Sequence, residues 1–222
     1  MEHPDKFWNG EVHIMELELI EEIQPDAWDE AISHFDTKFL FHQSSWLNFL
    51  EETQPGKAIK FRITNNGQVE GYFAGLLLKK GPFRILGSPL VGWTTNYMGP
   101  IVNKGFDLER FLKALDDMCR QWRIHHIELL NPFLSPDIMR KMGFSVSEGS
   151  TFIVSLSPDE EQMWKKLKKK SCRYPINKAR REGIIVEENT DSSFIDEYYR
   201  ELEEVFAKQH LVPTYPIDRV RS

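Results

Sequence analysis

The sequence predicts a mixed α/β fold with a mostly antiparallel sheet flanked by helices. Two strand-like runs, Lys57 to Thr64 and Val69 to Lys79, are joined by Asn65-Asn66-Gly67-Gln68. Asn-Gly is a strong hairpin signal because both residues tolerate positive φ. Asp107 to Trp122 places Phe111, Leu112, Leu115, Met118, Cys119 and Trp122 at spacings of one, three and four, the stripe of an amphipathic helix. A strand pattern, His125 to Leu130, follows it directly. Strands and helices thus alternate around a hairpin centre.

The chain can be taken from its start. Val12 to Ile20 alternates with period two from Ile14 or Met15 onward and reads as a strand. Pro25 suits a first helical position, and Ala27, Trp28, Ala31, Ile32 and Phe35 give that helix an apolar side. Ser44 or Ser45 is positioned to cap a second helix carrying Trp46, Leu47, Phe49 and Leu50 and ending at Gly56. Pro82 to Leu86 is a further short strand. The stretch from Gly87 to Pro100 is a loop rich in Gly and Pro that carries Trp93 and Tyr97. Such a loop either lines a pocket or packs on the surface. Trp93, Tyr97 and Trp46 are the candidate lining residues, and a sugar or peptide is the group on which Trp93 and Tyr97 would stack.

Pro136 to Met142 reads as a short helix closed by Gly143, and Phe144 to Val146 and Thr151 to Leu156 read as strands. Ser157 is the expected cap of a helix whose face holds Trp164, Leu167, Ser171 and Tyr174. Pro175 is expected to break it near Tyr174 and to start another helix ending at Gly183. Ile184 to Glu188 is a strand pattern. Asp191 to His210 is a long helix with Phe194, Ile195, Tyr198, Tyr199, Leu202, Val205 and Phe206 inward. Two domains are expected, residues 1–150 and 151–222, the second holding only half of a sheet domain.

Charge separates one segment from the rest. Between Lys165 and Arg181 lie nine Lys or Arg and no acid. The whole chain has 28 basic and 34 acidic residues, so without those nine it would hold 19 against 34. An acidic protein that concentrates its cations in this way does not coat DNA. The segment is either an anion site or a solvated helix face. Arg173 offers a planar fork matched to phosphate oxygens, and Lys170 and Lys178 add point charge. A helix beginning at Pro175 would add free N–H groups and a positive dipole end.

Other chemistries are not signalled. Cys119 and Cys172 form no C-x-x-C pair, which suits a reducing cytoplasm. Cys119 lies on an apolar stripe, and Cys172 has no histidine nearby to serve as base. His125 and His126 point to opposite faces of a strand, so no metal is expected. The sequence has no P-loop and no G-x-G-x-x-G, and Gly99 to Gly105 lacks the form of a diphosphate cradle. The N-terminus shows no signal peptide, and no apolar run approaches the roughly 20 residues of a spanning helix. The expectations are a cytoplasmic protein, peripheral membrane contact at most, and no permanently bound cofactor.

Four segments together resemble the FemAB group of aminoacyl and acyl transferases, within the wider GNAT (N-acetyltransferase-like) superfamily. Phe41-His42-Gln43-Ser44-Ser45-Trp46 resembles the group's start of an early helix. Gly87 to Pro100 is similar to its loop after the strand meander. Trp164 to Gly183 is similar to its basic signature, and Val205-Phe206-Ala207-Lys208-Gln209 with Pro213 to the segment beyond. The resemblance implies tandem GNAT-like domains, the second truncated, with an acyl-CoA or aminoacyl-tRNA donor. The acceptor it implies is an amine of a phosphorylated cell-envelope sugar or peptide precursor. Arg173 and Lys178 are the positions to which the family's diphosphate-binding role carries over. Two departures stand out. Asn48 occupies the place of an assisting lysine, and Pro175 replaces a polar or basic residue. The donor half of the second domain is expected beyond Ser222, leaving this stretch inactive alone. The rival expectation is a non-catalytic module binding RNA, including tRNA, or acidic lipid.

Overall fold

The computed structural model describes residues 15–92, 94–189 and 191–221. Two compact units meet between Ser147 and Glu148.

The first unit is a six-stranded sheet with helices on both faces. Its strands are β1 Met15–Leu19, β2 Lys57–Asn65, β3 Gln68–Lys80, β4 Phe83–Ser88, β5 Gly99–Val102 and β6 His126–Leu129. The order is β1-β2-β3-β4-β6, with β5 also on β3. All pairs are antiparallel except β4 with β6. The β2–β3 turn holds Asn66 at φ 51° and Gly67 at φ 76°, the positive pair that Asn-Gly allows. Of the expected first strand, residues 12–14 lie outside the described residues.

Alternation along β3 builds the two cores. Phe73 packs with Phe61, Ile63 and Leu86 against Phe111, Leu112 and Leu115 of α3, Leu108–Gln121. Tyr72 and Ala74 face the other way, onto Trp28 and Ile32 of α1, Pro25–Ser33, and Leu47 of α2, Ser44–Thr53. A period of two along the strand sends neighbouring side chains to opposite faces. A short helix α4, Pro136–Lys141, capped by Ser135, adds Met139 to the α3 side.

The structure corrects the reading of α2 and of the long loop. Gln43, not a serine, precedes α2 and caps nothing with its side chain. Asp29 of α1 does this from a distance. Its carboxylate accepts from the Ser44 N–H at 2.8 Å and the Ser44 hydroxyl at 2.6 Å. The helix stops at Thr53, before the expected Gly56. The segment expected to be loop up to Pro100 ends instead in β5. β3 is long enough for β4 to pair its second half (Leu76↔Gly87) and β5 its first (Ala74↔Gly99). Gly71 makes room for this return. A Cβ there would sit 2.5 Å from the Ile101 carbonyl oxygen and 2.6 Å from Val102 Cγ1. Gly71→Ala is therefore expected to cost about 1–3 kcal/mol in denaturant unfolding, by prying β5 from β3. A neutral result would show that β5 yields without loss.

The second unit has helices and no assigned strand among the described residues. They are α5 Glu160–Lys166, α6 Tyr174–Arg181, α7 Ile195–Ala207 and α8 Ile217–Arg221. The expected strands at 144–146, 151–156 and 184–188 are absent. Phe152 is 97% exposed and Val186 93%. β-rich composition makes a strand only where another strand accepts its N–H and C=O groups, and none is assigned there. The long helix is likewise shorter than expected, preceded by a 3₁₀ turn, Ser192–Phe194, that Asp191 caps. Of its expected inward residues Ile195 is buried, whereas Phe194, Tyr198 and Val205 are exposed. The Tyr199 hydroxyl donates to the Tyr215 carbonyl at 2.8 Å, tying the segment after α7 back onto it. No helix among the described residues is long and apolar enough to cross a membrane.

Candidate functional site

The basic segment begins on a helix that caps itself. Asp159, not Ser157, is the N-cap of α5: its carboxylate accepts from the Glu161 and Gln162 N–H groups at 3.0 and 3.1 Å. Ser157 accepts from the Asp159 N–H one step earlier. Glu160 and Glu161 complement the positive end of α5. The helix ends at Lys166, and Leu167 and Lys168 are extended at ψ 135° and 129°. The break therefore falls about two turns before the expected Tyr174.

Pro175 is accommodated rather than disruptive. A π-helical turn, Lys169–Arg173, runs straight into α6, with the Arg173 N–H donating to the Lys168 carbonyl at 3.1 Å. In an α-helix, proline lacks one donor and its ring collides with the carbonyl four residues back. The wider π turn just before it relieves that collision, and Pro175 falls in the first turn of α6. Gly183, at φ 75°, closes α6, and the Ile184 N–H reaches back to the Ala179 carbonyl at 3.1 Å. This is the Schellman arrangement that glycine favours.

Lys170, Arg173 and Lys178 thus lie on one helical run from 169 to 181. Arg173 is half-buried, and its Nε is enclosed without a hydrogen-bond partner. Lys178 is 57% exposed and stands 3.7 Å from Glu182 one turn on, a weak contact. Arg180 lies over the Trp164 ring at 5.3 Å and links α6 to α5. Lys165 pairs with Glu161 at 2.8 Å. The other six cations, Lys166, Lys168, Lys169, Lys170, Arg173 and Arg181, have no ion pair among the described residues. An arginine fork without an ion pair, on one helical run with unpaired ammonium groups, suits an anion with several oxygens.

The aromatic candidates lie in the first unit. Trp46 packs on Phe41 and Phe49 and donates from Nε1 to the buried Thr95 hydroxyl at 3.0 Å. It fastens the long loop to α2. Tyr97 stands 5.5 Å from Phe39, which stacks on Phe133 at 5.9 Å and 13°. Trp93 lies outside the described residues. The loop's end is knitted in by Ser88, whose hydroxyl accepts from the Gly99 N–H and donates to the Ala74 carbonyl. Asn131 does the same from the end of β6, donating to the Met98 carbonyl.

A cavity that sequence reasoning missed opens beside this loop. β6 pairs with β4 up to Leu129 and no farther, while β5 continues along β3 with no second partner strand among the described residues. Between β5 and residues 131–134 the chain parts, leaving about 290 Å³. Pro100, Val102, Phe106 and Leu134 give it an apolar floor. The nearby start of α3 is not free for an anion. The Asp107 carboxylate accepts from the Arg110 N–H at 3.1 Å and pairs with its guanidinium at 3.2 Å. The sequence signal was Gly99 and Gly105 bracketing a short strand before a capped helix, but only pairing reveals the gap.

Cysteine chemistry finds no support at Cys119. Burial, with Asp116 adding to it, pushes its thiol up to about 11. Among the described residues no group of three or more His, Cys, Asp or Glu is placed to hold a metal ion.

The architecture has counterparts among solved structures. FemX, of the FemAB family, aligns over 91% of this chain with a TM-score of 0.54 and 15% identity. The chain shares its fold with FemX. It spans 53% of the FemX chain, about half its length. Two structures of the aminoglycoside N-acetyltransferase AAC(6')-Iy, one with CoA and one with a bisubstrate analogue, also align. Each does so over 64% of this chain at 13% identity and a TM-score of 0.36. No protein-family model and no curated protein matches the sequence. With FemX as the reference, this chain is mixed α/β with a mostly antiparallel sheet flanked by helices.

Proposed function

We propose that this chain works as part of a FemAB-like acyl- or aminoacyltransferase. The acceptor is an amine on a phosphorylated cell-envelope precursor, of the peptidoglycan or polysaccharide type, and the setting is the cytoplasm. Arg173, Lys178 and Lys170 hold the precursor's phosphates. The donor is an acyl-CoA or an aminoacyl-tRNA. In the transfer, the amine nitrogen attacks the acyl carbonyl carbon. The bond to the thiol sulfur or the ribose oxygen then breaks, and the proton lost by nitrogen leaves with that group. Such a step rests on positioning and on donors for the developing oxyanion, and it needs neither a covalent nucleophile nor a metal.

The observation that carries this reading is the run of cations without ion pairs among the described residues, Arg173 and Lys170 included, in an otherwise acidic protein. Titration with UDP-N-acetylglucosamine and with inorganic pyrophosphate tests it. Replacing Arg173 and Lys178 together with alanine is expected to weaken binding at least about tenfold and to flatten its salt dependence. Unchanged affinity and unchanged salt dependence would remove the assignment. The same run of cations also favours a rival, a module that grips RNA or an acidic lipid surface. Tighter binding of a short RNA or of anionic vesicles than of the nucleotide sugar, with a steep salt response for RNA, would favour that rival.

A further inference from the structure

Two residues of opposite charge that form no ion pair with each other line the cavity beside β5. Asp36 and Lys104 both line it, yet the Lys104 ammonium has no hydrogen-bond or ion-pair partner among the described residues. Backbone contacts fix where both stand. The Lys104 N–H donates to Asp36 Oδ2 at 3.1 Å, and the Asp36 N–H donates to Asn103 Oδ1 at 3.2 Å.

Most of the other polar groups around the cavity are already hydrogen-bonded within the protein. Thr37 spends its hydroxyl on β5, donating toward the Pro100 and Val102 carbonyls and accepting from the Val102 N–H. Asn131 spends its amide on the Met98 carbonyl and the Phe133 N–H. Still unspent are the Lys104 ammonium, the Asn103 amide N–H groups and Asp36 Oδ1. Two donors, one of them cationic, and an anionic acceptor therefore stand together at the edge of an apolar floor. Phe133, 61% exposed, extends that floor at the mouth, its ring backed by Phe39.

We propose that this cavity binds a free α-amino acid with an apolar side chain. Lys104 and Asn103 receive its carboxylate, Asp36 receives its ammonium, and the side chain lies on Val102, Phe106, Leu134 and Phe133. A space of about 290 Å³ suits a molecule of that size and lies at the small end of ligand pockets. A small zwitterion carries both charges that this edge can receive. The site lies wholly in the first unit and uses no residue of the basic segment, so it stands or falls apart from the acyl-transfer reading.

Calorimetric titration of the full chain with L-leucine, N-acetyl-L-leucine, L-leucinamide and glycine tests it. Leucine is expected to bind. Blocking either charge is expected to weaken binding about tenfold or more, the size of one charge-assisted hydrogen bond, and glycine is expected to bind less well than leucine. Lys104→Gln should bring leucine down to the level of leucinamide while leaving leucinamide unchanged. Asp36→Asn keeps an acceptor for the Lys104 N–H, so the loop stands, and should bring leucine down to the level of N-acetyl-leucine. Thermal melts confirm that both variants fold. No binding of leucine at about 10 mM, equal affinity for the three leucine compounds, or variants with unchanged preference would each overturn the proposal.

Discussion

Replacing Trp28 with alanine is expected to destabilise the first unit by about 3–5 kcal/mol. The indole is fully buried on α1 among Ile32, Leu47, Ala74, Met98 and Ile101. It also stands edge-on to Tyr72 at 5.5 Å. Its Nε1 donates to the His42 carbonyl at 2.7 Å, which joins α1 to the turn ahead of α2. Alanine would leave both a void and a buried carbonyl without its donor, and the second loss adds about 1 kcal/mol or more. Lys60 would lose its seat as well, since its ammonium lies 5.1 Å over the indole. Burial depresses that ammonium's pKa, against the pull of Asp29 and Glu51. Domains of this kind keep only about 5–15 kcal/mol in all, so a large unfolded fraction near physiological temperature is expected. Urea unfolding followed by tryptophan fluorescence reads the change. A loss below about 1.5 kcal/mol would mean that the α1 face of the sheet collapses around the gap.

The second large effect is acid destabilisation through His42. Its side chain is fully buried, and burial lowers its pKa from 6.5 to about 4, with the Gly99 backbone pulling part of the way back. Nδ1 accepts from the Phe39 N–H at 2.9 Å, a bond that requires the neutral ring. Nε2 is enclosed without a partner of good geometry. The sign follows from proton binding. Above pH 6.5 neither the folded nor the unfolded state protonates the ring, and it exerts no pH dependence. Between 6.5 and about 4 the unfolded chain takes a proton that the folded chain refuses, so stability falls as pH falls. Below about 4 both states are protonated and the loss is complete. Its size is about 3 kcal/mol, from a gap of roughly 2.5 pH units. His42→Asn keeps an acceptor near Nδ1 and should remove this part of the slope between pH 6.5 and 4, whatever it costs at pH 8. The imidazole signals of the folded protein should stay in their neutral positions down to about pH 5. Titration near 6.5 would contradict the burial argument.

Much of the first unit was legible from local rules. The Asn66-Gly67 turn, the stripe on α3 and the proline start of α1 depend on neighbours within a few residues, where sequence and backbone preference act together. The basic segment was equally legible, because charge is counted rather than folded. What sequence could not supply was partnership. β5 was missed because its four residues, Gly99–Val102, are a strand only in relation to the free half of β3. Residues 151–156 and 184–188 were misread for the converse reason: their β-branched and aromatic residues favour strands, and no strand is assigned beside them.

Sequence by itself therefore determined the kind of layers, the hairpin at the centre and the place where cations gather, since propensity, period and charge are properties of short stretches. Tertiary structure alone decided that Asp29 rather than a serine caps α2, that Pro175 rides a π turn, and that the sheet parts beside β5, where Asp36 and Lys104 form no ion pair with each other. The physical reason is that hydrogen bonds and cavities belong to pairs of segments distant along the chain. Their formation depends on which distant groups packing brings within about 3 Å.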